Sequence, residues 1–370
     1  MSQEFTVQMP NFTFIKSIFV TIIIAILSYI FSLVSYLPAF PIAHWTFRIC
    51  DYLRIQLLAI QVILFGVNVY LFDSENYYIL FSLVLLGITI SYQAIIIIPY
   101  LPTHNIFQKK DASRDSISIL SVNVLQSNTS YEKLIALVNK IQPDILLTLE
   151  TNKAWEKALE AIEPHFSFTH KVPKENRYGI HFYTKFKVES AQTHYFISEE
   201  RPAIEIQLYD TNGNDFVFLG IHPPPPSPTE KPTSKQKEAE FMKVAKLVRS
   251  LKSPSIVTGD FNNVCWSKSA KLFAKVADLE DSRIGKGIHG TFPVRPFFMR
   301  FPIDLLFTSK EIKVHKIKTL ADIGSDHLPF YAEFSMVTSS FAKADELSPE
   351  LDKKAAKIID SGLEALEEEE

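Results

Sequence analysis

The segment Ser255–Asn263 reads SIVTGDFNN: a short run of strand character, a glycine, then an acid and two amides where the strand must turn. A carboxylate on an apolar strand costs several kcal/mol unless a partner or a cation satisfies it. The same juxtaposition recurs on both sides. Ile117–Leu125, ISILSVNVL, alternates as a strand and carries Asn123. The run ILLTLE ends at Glu150. Phe216–Ile221 runs straight into His222 and the stiff Pro223–Pro226. FPIDLLF holds Asp304, and GSDHLPF sets Asp326 and His327 just before the strand Tyr331–Ser335.

Taken singly, each of these has a plain structural reading, because Asn and Asp are common cap and turn residues. Together they place four carboxylates, two amides and two histidines at strand ends. Oxygen-rich sets of this kind suit a hard divalent ion rather than structural zinc. Between the strands, Ser130 can cap a helix over Tyr131–Ile141, a second is expected around Trp155–Ile162 and a third over Lys235–Leu251. Tyr178–Thr184 and Ala203–Tyr209 read as further strands. Strands and helices alternate and then strands dominate, so one α/β sandwich over 116–337 is expected.

Charge divides the chain. Its formal net charge of −3 hides the fact that the first 102 residues carry only 7 of the 79 charged side chains. Residues 17–47, 55–72 and 76–108 contain no Asp, Glu, Lys or Arg. Crossing the hydrocarbon takes about 20 apolar residues, which predicts three transmembrane helices, near 12–37, 53–72 and 78–101. Lys16 and Arg54 can snorkel, and tyrosines cluster near the ends. The spans hold no evident relay or ligand set, and His44 and Arg48 in the first loop read as headgroup contacts. With three spans, the first loop and the C-terminal domain share a side. Arg48, Arg54, Lys109, Lys110 and Arg114 then outnumber Lys16, so the C-terminal domain is expected in the cytoplasm. Residues 103–115 form a linker. The tail 338–370 is charged, and Ser348-Pro349-Glu350 starts an amphipathic helix read as a loose surface element or a protein-partner site. The two cysteines, Cys50 and Cys265, lie in different regions, so no disulfide framework is expected.

The ordered set SVNVL, LLTLE, YGIHFYTK, GIHPP, GDFNN, FPIDLLF and GSDHLPF resembles the endonuclease/exonuclease/phosphatase superfamily. The hydrophobic quarter looks like a membrane-anchored bacterial branch of it. The resemblance implies a four-layered α/β sandwich, two mixed sheets flanked by helices, behind the membrane bundle. It implies Mg²⁺-dependent (or Mn²⁺-dependent) hydrolysis of a phosphate ester. It makes Glu150 the metal ligand with Asn123 beside it and Asp326 helping. Asp260 would position the attacking water, Asn262 would hold a phosphate oxygen, and His327, oriented by Asp304, would contact the phosphate or act as base. His222 resembles the histidine of the deoxyribonuclease-like and phosphatase branches, and Arg201 in ERPAIEI matches a phosphate-contacting arginine more loosely. His181 replaces a usual small residue and reads as sheet packing.

A phosphodiester needs charge neutralisation and alignment, and these residue types supply both. The partners expected are a lipid bilayer and a phosphate-ester substrate. The loop VRPFFMRFP, with Arg295, Phe297, Phe298 and Arg300, could enter DNA or lean on a bilayer. Nucleic acid is not favoured by charge, since no basic excess exists. A nuclease proper and a non-catalytic membrane scaffold stand as the alternatives.

Overall fold

The computed structural model describes residues 12–73, 75–102, 116–337 and 345–368. The expected linker 103–115, with Lys109, Lys110 and Arg114, lies outside the described residues. The chain forms two compact units, one drawn from residues up to Ile42 and from Ile49–Ile98, the other from Ala43–Arg48 and Pro99–Glu370.

The first unit contains α1 (Phe12–Val34), the second half of α2 (Trp45–Tyr52), α3 (Arg54–Tyr70) and α4 (Tyr77–Ile97). Two stretches, Phe19–Ala39 and Tyr77–Tyr100, are long and apolar enough to cross a membrane. The expected span over 53–72 is different. Helix α3 has 17 residues, about 26 Å at the usual rise, and reaches span length only together with α2, from which it bends by 69°. Arg54, the first residue of α3, pairs with Asp51 of α2 across that bend at 2.5 Å.

This unit is inside out. Phe19, Ile23, Ile26, Ile30 and Leu33 are exposed, while Ser28, Ser32, Ser35, Gln61, Asn68, Ser82, Thr89 and Gln93 are buried. The buried positions of α3 are 54, 57, 61, 64 and 68, and those of α4 include 79, 82, 86, 89 and 93. That alternation of three and four is the spacing of a packed helical seam, here polar at every second contact. Gln61 Nε2 donates to Ser35 Oγ at 2.6 Å, Gln93 Nε2 to the same oxygen at 3.0 Å, and Asn68 Nδ2 to Ser28 Oγ at 3.0 Å. In water the exposed isoleucines would be a liability. In lipid, small and amide side chains are the ordinary means of holding helices together. This seam packs helices; it is neither a relay nor a ligand set. Serines and single amides spaced by apolar residues leave no charge to betray them.

In the second unit, strands β1 (Ile117–Asn123), β2 (Ile145–Leu149), β3 (Phe168–Val172), β4 (Ile180–Thr184), β5 (Lys187–His194), β6 (Ala203–Tyr209), β7 (Asp215–Ile221), β8 (Ser255–Asp260), β9 (Glu280–Asp281), β10 (Asp304–Thr308), β11 (Ile312–Thr319) and β12 (Phe330–Met336) make two mixed six-stranded sheets. Their orders are β11-β12-β1-β2-β4-β3 and β5-β6-β7-β8-β10-β9. Ile119, Leu147, Phe182 and Phe330 of one sheet meet Ile206, Phe218 and Leu306 of the other in a shared core. Helices α5 (Tyr131–Ile141) and α6 (Lys153–Leu159) cover the first sheet through Leu134, Val138 and Trp155. Helices α7 (Lys235–Ser250) and α8 (Lys268–Ala277) cover the second, where Phe241, Phe261, Phe273 and Phe307 interlock. This is the expected four-layered sandwich.

Each sheet contains one parallel pair, β1 with β2 and β7 with β8, joined by α5 and α7. Parallel pairs end on the same side, and loops at the carboxyl ends of such strands are where α/β proteins gather polar groups. Asn123, Glu150, His222 and Asp260 all fall there. Antiparallel β10 begins opposite Asp260, in the register Asp304↔Asp260.

The tail helix α9 (Pro349–Glu367) is not loose. It lies along α7, and a Cβ at Gly362 would stand 2.2 Å from the Cβ of Ala239. Nor does Arg48 face headgroups; it pairs with Glu238 of α7 at 3.0 Å.

Replacing Gln61 by Leu should lower the melting temperature of the detergent-solubilised protein by the equivalent of about 1–2 kcal/mol. Ile63→Leu, on the exposed face, should leave it unchanged. Equal melting of both variants would mean that the polar seam contributes nothing.

Candidate active site

The site is assembled from strand ends, and two of its residues adopt left-handed backbone. Glu150 (φ 61°) follows β2 and Asn262 (φ 46°) follows β8. Such conformations cost non-glycine residues about 1–2 kcal/mol and cluster where side chains must be aimed. Glu150 turns its carboxylate back toward β1. Its Oε1 accepts from Asn123 Nδ2 at 3.0 Å and its Oε2 from the Gln126 N–H at 3.2 Å. Asn123 Nδ2 also donates to Asp260 Oδ2 at 3.1 Å, while Asn123 Oδ1 accepts from the Leu125 N–H at 3.0 Å. One amide thus ties the two sheets together across the core.

Asp260 is the hub. Its Oδ2 lies 3.4 Å from His327 Nε2 and 3.7 Å from His222 Nε2. Its Oδ1 accepts from the Asn262 N–H at 2.8 Å. On the far side, His327 Nδ1 meets Asp304 Oδ2 at 2.9 Å. Arg283, fully buried, donates to the main-chain oxygen of Asp304 and lies 4.9 Å over the Phe330 ring. Ser325 Oγ donates to the Asn123 carbonyl at 2.7 Å and accepts from the His327 N–H at 3.1 Å, which pins the SDH turn to β1.

The two histidines are driven apart. Burial works against a charge on His327, but Asp304 and Asp260 outweigh it and its pKa is pushed up to about 10. His222 has one carboxylate neighbour at longer range, so burial dominates and pulls its pKa down. A cationic and a neutral imidazole therefore flank one carboxylate oxygen, an arrangement that separates proton donor from acceptor.

Asp260, Asp304 and His327 offer ligand atoms within 4.8 Å of one another. Both nitrogens of His327 already face those carboxylates, so this group is an ion-paired network. Glu150 and Asp326 fit a hard cation better. Burial raises the Asp326 pKa first, and the neighbouring Glu150 charge raises it further, a repulsion that a divalent ion relieves. Asn123 presents its amide nitrogen here, so ligation by its oxygen requires the amide to turn over.

Asn262 is held rather than free. Its Nδ2 donates to the Pro223 carbonyl at 3.0 Å, and Lys237 Nζ donates to its own carbonyl at 2.7 Å. The proline loop thus supports the GDFNN turn. Arg201 joins the site through Tyr178, whose ring lies 5.1 Å from the His222 ring and 5.9 Å from the Arg201 guanidinium. The guanidinium donates to Gln236 Oε1 at 2.9 Å and stands 3.8 Å from Glu240, too far for a hydrogen bond. His181 is buried in the sheet beside Tyr183, and burial lowers its pKa to about 3. Lys237 and Glu240 escape a reading of the sequence that follows apolar residues, yet a signal exists. They continue the Phe241 and Val244 stripe one turn earlier, as charges in core positions.

Burial pushes the Glu240 carboxyl up to about 7, with Arg201 opposing. A buried acid with a raised pKa stabilises the fold most below its ordinary 4.5, and that contribution is lost as pH climbs to about 7. The melting temperature of the full chain should fall over this window, and Glu240→Gln should flatten the fall. A parallel pH dependence in both proteins would exclude Glu240 as its source.

A family model for the endonuclease/exonuclease/phosphatase family matches residues 120–327. Comparison with curated proteins gives no match. Among solved structures, an endonuclease/exonuclease/phosphatase family protein from Bacteroides thetaiotaomicron is 21% identical, covering 59% of this chain and 97% of its own, with a TM-score of 0.49. A mannosyl-6-phosphatase from the same organism is 20% identical over 60% of this chain and 100% of its own, with a TM-score of 0.48. The human nocturnin catalytic domain is 17% identical over 60% and 96%, with a TM-score of 0.48. With the family model spanning Asn123 through His327, the chain belongs to the endonuclease/exonuclease/phosphatase family of phosphate-ester hydrolases.

Proposed function

We propose that this protein is a membrane-anchored, Mg²⁺-dependent phosphoesterase that cleaves a phosphodiester or phosphomonoester by activated-water attack. The observation that carries this reading is the pair of buried histidines, His327 Nε2 at 3.4 Å and His222 Nε2 at 3.7 Å, that meet on one oxygen of Asp260. Asp260 accepts the hydrogen bond that aligns a water, and neutral His222 beside it can take the proton. Cationic His327, braced by Asp304, donates to a phosphate oxygen. The second amide hydrogen of Asn262 serves the same purpose. A divalent ion held by Glu150 and Asp326, with Asn123 adjoining, would supply neutralisation of the charge that develops on the phosphoryl oxygens. Mn²⁺ has the same ligand preference.

Anchoring is supported by the two apolar helices and by the inverted burial of the first unit. We place the catalytic unit on the cytoplasmic side of a bacterial inner membrane. With the bent α2–α3 pair as a third crossing beside the two apolar helices, the first loop and the catalytic unit share a side, and Lys109, Lys110 and Arg114 against Lys16 support that assignment. The complete acid, amide and histidine network speaks against a non-catalytic scaffold, and the lack of a basic excess speaks against a nuclease.

With bis(p-nitrophenyl) phosphate and Mg²⁺, Glu150→Ala and His327→Ala should each lower kcat/KM by about a hundredfold or more. Chelator should abolish the wild-type activity and added Mg²⁺ should restore it. Undiminished hydrolysis in excess chelator would overturn the proposal.

A further inference from the structure

Arg201 lies behind the Tyr178 ring that neighbours His222, and its side chain is only 5% exposed. The groups that hold it come from α7. Gln236 Oε1 accepts from Arg201 Nη2 at 2.9 Å, and Glu240 Oε2 stands 3.8 Å from Arg201 Nε. Residues four apart share one face of a helix, so a single turn of α7 backs the guanidinium, and both of its acceptors are buried. Arg201 Nε and Glu240 Oε2 have no hydrogen-bond partner among the described residues. A bidentate pair would capture the guanidinium fork. At 3.8 Å the carboxylate balances the charge of Arg201 without closing that fork.

The next face of the same turn is closed by the tail. Lys235 and Ala239 precede Gln236 and Glu240 by one residue, about 100° round the helix, and there α9 packs. A Cβ at Gly362 would come within 2.2 Å of the Ala239 Cβ and 2.8 Å of the Lys235 carbonyl oxygen. The helices approach this closely only because position 362 has no side chain. Ala355 and Ala365 are buried in the same helix. Gln236 Nε2 lies 3.5 Å from the Ala365 carbonyl, so the amide that accepts from Arg201 also faces the tail. Nearer its start, the tail is fixed by Lys246 Nζ on Asp352 at 2.8 Å and by Arg249 Nη2 donating to the Asp345 carbonyl at 2.7 Å. Water admitted to this turn would compete for Gln236, Glu240 and the guanidinium, whose interactions are strongest where solvent is excluded. Helix α9 supplies that cover.

We propose that Gln236 and Glu240 are positioning residues that aim Arg201 at a phosphate oxygen of the substrate, and that the docked tail helix α9 locks them in that arrangement. The choice of a phosphate as target rests on the phosphoesterase reading; the link from α9 to Arg201 rests on the contacts above. An arginine already ordered binds an anion more tightly than one the anion must order. The consequence falls on phosphate affinity. Glu150 and Asp326, which suit the cation, follow β2 and precede β12 in the other sheet.

The test uses the full chain in detergent with Mg²⁺, and inorganic phosphate as the probe, its dissociation constant read by calorimetry. Gly362→Leu, which forces α9 away from Ala239, should raise that constant by about tenfold. It should raise KM for bis(p-nitrophenyl) phosphate in step, and leave kcat and the Mg²⁺ concentration for half-activation within about twofold. In an Arg201→Ala background the same change should add less than about twofold, because the group that the tail aims is gone. Gln236→Ala leaves Gly362 and Ala239 in place. It should weaken phosphate to a similar degree, be equally silent behind Arg201→Ala, and decide the matter if Gly362→Leu does not fold. A fall in kcat at unchanged phosphate affinity would overturn the proposal. So would an equal loss with and without Arg201, since general loosening of the fold does not depend on that side chain. Wild-type protein that binds no phosphate would overturn it as well. Wild-type protein that binds phosphate through Arg201 yet hydrolyses no ester would defeat the phosphoesterase reading alone.

Discussion

One buried oxygen, Asp260 Oδ2, is shared by an amide of one sheet and two imidazoles from two different loops. Taking an unpartnered carboxylate out of water costs several kcal/mol, so this oxygen is tolerable only while Asn123, His222 and His327 all stay in place. Each demand propagates. Asn123 must come from β1, and His222 must end β7. His327 must be turned inward by Ser325 and braced by Asp304. The sandwich holds these elements together through the core between its sheets, and the polar hub fixes how their ends meet. The same constraint separates the two histidines in protonation, because only His327 has a second carboxylate at hydrogen-bond distance.

The first unit solves the opposite problem. Its helices expose isoleucine and phenylalanine and bury serine, glutamine and asparagine. Where lipid surrounds a helix, burying apolar groups gains little and a hydrogen bond between helices becomes the specific contact. The chain thus follows two rules of packing, one suited to hydrocarbon and one to water, with the change falling near Pro99. Arg48 of the second unit pairs with Glu238, and Arg54 of the first pairs with Asp51.

Much of this was legible residue by residue. The central strands read correctly because they are apolar throughout, and the polar residues that end them stood out against that background. The strands not foreseen, β3, β5, β9 and β11, are the four edge strands. Edges carry charges and short lengths that blunt them against further pairing, which erases the alternation on which strand recognition rests. Likewise Lys237 and Glu240 looked like one more solvated turn of an amphipathic helix. Their burial follows from α9 and the GDFNN turn closing over α7, contacts made by segments distant in sequence.

By itself the sequence determined that an oily quarter precedes an α/β domain, and which polar residues sit at its strand ends, since hydropathy and strand period are local properties. The tertiary structure alone decided that these residues converge on Asp260, that α3 reaches span length only together with α2 across a bend, and that the tail docks on α7. Each of those outcomes depends on which distant segment occupies the neighbouring space, and burial, pKa and exposure are properties of that neighbourhood rather than of the residue.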